Sequence, residues 1–108
     1  MTKRPTSLML YNKNSVISFI PDTHAVYYLR GIADENSLYP VYFIGRSKKK
    51  NLRRELLETL IKNDWIDIVY VNYIECESEK EAEFIERKEI SRHHPKYNQN
   101  NYQHESYI

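Results

Sequence analysis

Residues 25–45, AVYYLRGIADENSLYPVYFIG, decide the fold. The first run, AVYYLRGI at 25–32, is dense in β-branched and aromatic side chains, which fit a pleated, half-buried surface. VYFIG at 41–45 repeats that character. Ala33 to Tyr39, between the runs, is polar and turn-like. So short a connection suits antiparallel neighbours, so the two runs are expected to pair as adjacent strands.

Downstream, Asn51 to Lys62 follows a helical period. Leu52, Leu56 and Leu60 recur every fourth residue, and Leu57 and Ile61 widen the stripe. Asn51 is placed to cap this helix, and Asn63-Asp64 to end it. Ile66 to Glu75 (IDIVYVNYIE) alternates as a third strand, with Ile66, Ile68, Tyr70, Asn72 and Ile74 on one face and Asp67, Val69, Val71, Tyr73 and Glu75 on the other. Ser78 to about Arg92 reads as a second helix. Ser78 and Glu81 match a capping box, and Pro95 halts the chain's helical run. Upstream, SLMLY at 7–11 and SVISFI at 15–20 flank Asn12-Lys13-Asn14 and suggest a small hairpin or an added strand pair. Pro21-Asp22 then breaks the chain. The order predicts an α+β domain: a small three-stranded, mainly antiparallel central sheet flanked by helices, with a short β-like N-terminal arm. A single domain over 1–108 is expected, with a core at about 24–98, an arm at 1–23 and a flexible polar tail at 99–108.

The totals narrow the function classes. A formal net charge of +1 means that no global field advertises a polyanion partner. Charge is instead local. Arg46, Lys48, Lys49, Lys50, Arg53 and Arg54 crowd one short stretch, and Arg87, Lys88, Arg92 and Lys96 form a looser second group. Cys76 is the only cysteine, which excludes an internal disulfide and a cysteine-rich zinc site and suits a reducing compartment. His93 and His94 are adjacent, so they cannot share a metal as helix neighbours one turn apart would. No apolar run approaches membrane-spanning length, and Met1 to Pro5 lacks the apolar core of a signal peptide. A cytoplasmic protein with no membrane partner is expected.

Three segments in order carry a family resemblance. Ala25-Val26-Tyr27 stands first and Phe43-Ile44-Gly45 second, with Arg46 and Ser47 following the glycine. Third comes Glu81-Ala82-Glu83-Phe84-Ile85-Glu86, leading to Pro95-Lys96-Tyr97-Asn98. Over roughly residues 24–98 this set resembles the GIY-YIG nucleases, and the acidic helix with its Pro-basic-Tyr-Asn exit is its most specific part. It looks like the domain that makes one incision in bacterial nucleotide-excision repair.

The resemblance implies a metal-dependent endonuclease acting on nucleic-acid phosphodiesters, DNA foremost, with one Mg²⁺ or Mn²⁺ ion held by Glu86. The metal would polarise the phosphate and stabilise the leaving oxygen. Tyr27 would act as general base or position the water. Arg46 would offset charge growing on the phosphate. Asn98 would support the site and the helix exit, while Lys48, Lys49, Lys50, Arg53 and Arg54 would hold the sugar-phosphate backbone. A partner protein or a second copy of the chain is compatible with so small a domain.

This sequence also departs from the family's pattern. Phe43 replaces a signature tyrosine, so that hydroxyl is absent. Anchoring on Leu52 and Leu56 puts Glu55 where the family has an arginine, and Thr59 near the place of a family histidine. A small register change would bring Arg53 or Arg54 into the site instead. These departures keep open an inactive nucleic-acid-binding or protein-interaction module on the same fold.

Overall fold

The computed structural model describes residues 3–36, 38–63 and 65–99. It shows an α+β arrangement in the order β1 (Met9–Leu10), α1 (Lys13–Phe19), β2 (His24–Arg30), β3 (Val41–Arg46), α2 (Leu52–Lys62), β4 (Tyr70–Cys76) and α3 (Glu79–His93). The sheet runs β1-β4-β2-β3, and every neighbouring pair is antiparallel. The expected antiparallel pairing of the two aromatic runs is present, with Tyr27 opposite Gly45 and Tyr28 opposite Ile44. The β4 run begins later than its apolar pattern suggests. Ile66 is 96% exposed, and pairing starts at Tyr70.

The sheet has four strands rather than three, because the arm adds β1. Met9 and Leu10 pair with Val71 and Tyr70, and the Thr6 and Tyr11 amides donate to the Tyr73 and Val69 carbonyls (both 2.8 Å). The second apolar run of the arm is a helix, not a strand. Asn12 is extended and its side chain accepts from the Ser15 amide at 2.8 Å, an N-cap that starts α1. Val16 and Ile20, four residues apart, are then buried together, while Ile17 and Phe19 stay exposed.

Strand alternation splits the core into two layers. Ala25, Tyr27, Leu29, Val71 and Tyr73 face α1 and α2, where they meet Val16, Ile20, Leu52 and Leu56. Val26, Tyr28, Ile44, Ile74 and Cys76 face α3, where they meet Ala82. Each fully buried leucine of α2 contributes about 1.5–3 kcal/mol. Ile61 is 82% exposed, so the stripe is narrower than its spelling suggests.

The caps differ from expectation in detail. Asn51 makes no side-chain bond to α2; its Oδ1 accepts from the Lys48 and Lys49 amides instead. Asp22, from the α1–β2 turn, accepts from the Arg53 amide at 3.1 Å and serves as a remote cap. In α3, the Ser78 hydroxyl accepts from the Glu81 amide as expected, but Glu81 returns its bond to the Glu77 amide, one residue before the cap. His94 closes α3 in the left-handed region (φ 49°). Among the described residues no helix is long and apolar enough to cross a membrane. Of the expected tail, residues 100–108 lie outside the described residues, as does Asp64 at the expected end of α2.

Candidate active site

Gly45 is the pivot. It lies on β3, the edge strand, directly opposite Tyr27 of β2, on the face that carries α1 and α2. With no side chain there, the Tyr27 ring crosses the strand; a Cβ built on Gly45 would overlap the Tyr27 hydroxyl. One residue on, alternation turns Arg46 to the other face, opposite Val26 and towards α3. There α3 presents Glu79, Glu83 and Glu86, spaced i, i+4 and i+7, which is one helix face. Arg46 Nε lies 3.3 Å from Glu86 Oε1, while its terminal nitrogens lie 3.8 and 3.9 Å from Glu79 and Glu83. Its Nη1 is buried and has no hydrogen-bond partner. One guanidinium thus lies among three carboxylates, nearest to Glu86, while Arg87 pairs with Glu83 at 3.0 Å.

The charges act on each other. Burial pushes the Glu86 carboxyl up from its usual range, and Arg46 opposes that push. Tyr27 is 3% exposed, and burial raises its hydroxyl strongly. The Thr59 side chain pulls the other way, but the charges of Glu55 and Glu86 raise it further. The hydroxyl therefore keeps its proton through neutral pH. A protonated hydroxyl at this place can donate a hydrogen bond and so position a water or a phosphate oxygen. Glu55 and Thr59 approach from α2 and Glu86 from α3, so the set meets around the edge of β3 from both faces of the sheet.

Other expected residues take different places. Asn98 clamps the free edge of β3: its Oδ1 accepts from the Ile44 amide at 2.8 Å and its Nδ2 donates to the Ile44 carbonyl at 2.9 Å. Its amide is occupied by backbone, so Asn98 positions the strand rather than offering a group to a substrate. Phe43 leans on Tyr27 (centroids 6.2 Å apart) and on Trp65 (5.1 Å). Neither basic residue of α2 turns to Glu86. Arg53 donates from Nε to the Ile20 carbonyl at 2.7 Å and sits 3.9 Å from Asp22. Arg54 is exposed and faces Glu58 at 3.8 Å. The register rescue that would bring either one in is not realised, and Glu55 holds the α2 position. Lys48, Lys49 and Lys50 are exposed on the loop between β3 and α2.

Reading the sequence passed over Glu79 and Glu83 as partners of Arg46. The i, i+4, i+7 spacing on a helix that must pack beside a basic strand end was the available signal. It also passed over the support behind Phe43. Trp65 stacks on Tyr97 at 4.4 Å, and Asp67 accepts from the Tyr97 hydroxyl (2.7 Å) and from Lys96 (2.6 Å). That box ties the segment bearing Asn98 to the edge strand.

Among the described residues, no three His, Cys, Asp or Glu side chains are grouped to hold a metal ion. One carboxylate suffices for a hydrated Mg²⁺ whose other ligands are water and phosphate. Glu86, desolvated and bonded closely to a single cation, is the residue that fits this role. No family model matches the chain, and no curated protein matches it.

Proposed function

We propose that this chain is a GIY-YIG-type nuclease domain that hydrolyses nucleic-acid phosphodiester bonds, DNA foremost, with one Mg²⁺ or Mn²⁺ ion at Glu86. The observation that supports the reading most is the meeting of three distant segments at Gly45: Tyr27 across it, and the Arg46–Glu86 pair beside it. Chance motif spelling gives no reason for such a convergence. The ion, when bound, would supply Lewis-acid stabilisation of the phosphate. Glu86 would trade its bond to Arg46 for the ion, which frees the guanidinium. Arg46 would then stabilise charge developing on a phosphate oxygen. Tyr27 would keep its proton and orient a phosphate oxygen or a water by donating. The exposed Lys48–Lys50 loop would hold the backbone without reading sequence.

A second reading is a nucleic-acid binder that does not cut. Glu55 favours it, because its charge bears on Tyr27 where the family resemblance leads one to expect a cation. Phe43 favours it too, since the second hydroxyl is missing.

One experiment separates the two. Titrated protein is incubated with single-stranded, duplex and branched DNA and RNA, with and without Mn²⁺, beside a Glu86→Ala variant. Metal-dependent cleavage that disappears in the variant supports the nuclease. Salt-sensitive binding without turnover supports the binder. Cleavage undiminished in Glu86→Ala removes the site assignment, and no binding at low salt removes both readings.

A further inference from the structure

A cavity of about 580 Å³ lies away from Gly45, between the second half of α3, strands β2 and β4, and the arm at Lys3 and Pro5. Its volume is in the range of small-molecule sites. Its floor holds a buried acid that the proposed chemistry does not use. Glu89 is 8% exposed and accepts from the Tyr28 hydroxyl at 2.6 Å, with Arg92 at 3.3 Å and His93 Nε2 at 3.5 Å. Apolar contacts come from Ile74, Ile85 and the 64% exposed Phe84.

The charges do not cancel. Lys3 pairs with Glu81 at 2.8 Å and Arg92 with Glu89, which leaves Arg30 and Lys88. Arg30 is half-buried and stacked 5.2 Å from the Tyr28 ring centroid, yet its bonds go to neutral acceptors, Asn72 Oδ1 (3.0 Å) and the Tyr39 carbonyl (3.1 Å). Lys88 is exposed at the cavity's margin and has no ion pair among the described residues. A partly desolvated guanidinium that makes no close ion pair among the described residues, facing a cavity, attracts an anion, although the charge of Glu89 bears on it. The same cavity offers aromatic and aliphatic contact for a planar body and a carboxylate that accepts from amino or ring N–H groups.

We propose that this cavity is a second binding site, for a nucleoside monophosphate: the phosphate on Arg30 and Lys88, the base against Phe84 and Ile85 with its N–H edge towards Glu89. The nucleotide is either free or the 5′-phosphorylated end of a strand. The inference stands independently of the function proposed at Gly45.

The full chain is titrated with 5′-GMP, guanosine, inorganic phosphate and a short 5′-phosphorylated oligonucleotide beginning with guanosine, by calorimetry and amide chemical shifts. GMP should bind at least about tenfold more tightly than guanosine or phosphate, with shifts at Arg30, Phe84 and Lys88. Lys88→Glu, an exposed substitution that leaves the core intact, and Arg30→Gln should each weaken it by about tenfold. Glu86→Ala should leave it unchanged, which separates this site from the one at Gly45. Tighter binding of the oligonucleotide than of GMP, with the excess lost in Lys88→Glu, identifies a strand end, and equal or weaker binding a free nucleotide. Absence of GMP binding at millimolar concentration, equal binding of guanosine or of phosphate, or indifference to Lys88→Glu would overturn the proposal.

Discussion

Gly45→Ala tests whether the Tyr27 ring really crosses β3. Tyr27 is 3% exposed and packed against Phe43, so it is not a flexible chain end that can swing clear of an added methyl. A Cβ at position 45 would also come within 3.0 Å of the Phe43 ring. Overpacking of this kind costs about 1–3 kcal/mol. Alanine regains about 0.5–1 kcal/mol over glycine in backbone entropy. The net expectation is a loss of about 1–2 kcal/mol, or about 5–10 °C in Tm for a chain of this size. The assay is urea unfolding of four proteins: the parent, Gly45→Ala, Tyr27→Leu and the double variant. Leucine is too short to reach across the strand, so the alanine should cost almost nothing beside it. The coupling between the two positions should then be about 1–2 kcal/mol. An alanine penalty that is the same in both backgrounds would refute the crossing, and with it the convergence on which the proposed site rests.

Three further outcomes are expected. Glu55→Arg should strengthen oligonucleotide binding by about tenfold at low salt and steepen its salt dependence; unchanged affinity in a filter-binding assay would mean that this α2 position does not face the bound phosphate. Tyr28→Phe should cost about 2 kcal/mol, since it removes a hydrogen bond to a buried carboxylate, but under about 0.5 kcal/mol in a Glu89→Leu background, where no acceptor is left; equal costs in thermal unfolding would deny the pair. Asp67 gives a pH signature. Burial pushes its carboxyl up, but the hydrogen bonds from Lys96 and Tyr97 outweigh burial and hold it below the ordinary carboxylate value. A depressed folded-state pKa adds stability that is present above the unfolded value and lost as pH falls through the folded one. Asp67→Asn should therefore lower Tm at pH 7 and narrow the gap to the parent below about pH 4; a gap that widens in acid would contradict the assignment.

The parts of the fold that could be read were those where one signal dominated. The 25–45 stretch has aromatic and β-branched density on both sides of one turn, and it forms the β2–β3 pair. The leucines of α2 repeat every fourth residue and bury as expected at Leu52 and Leu56. Reading failed where a short apolar run fits two periods. Residues 15–20 contain a helical pair, Val16 and Ile20, and an equally apolar strand-like spelling; the Asn12 cap, which is local, and contact with α2, which is tertiary, decide between them. The apolar pattern starting at Ile66 failed for a related reason. A strand begins where a neighbour supplies hydrogen bonds, and β2 supplies them only from Val69 onward, whose amide donates to the Arg30 carbonyl.

The site was legible as a set of residue types but not as a field. Spelling brought Tyr27, Arg46 and Glu86 to attention, yet it could not show that Arg46 would lie among Glu79, Glu83 and Glu86, with Arg87 paired to Glu83 at 3.0 Å and Glu55 acting on Tyr27 from the far side. The net charge of +1 hides this separation, because the balancing lysines lie on the loop after β3. The loop attracts phosphate. The edge, with Glu55, Glu79, Glu83 and Glu86 against Arg46 and Arg87, carries an excess of negative charge that opposes it. On the proposed reading, a divalent cation at Glu86 would offset that excess and so help to seat the backbone at the edge before any chemistry, whereas contact with Lys48, Lys49 and Lys50 would need no metal.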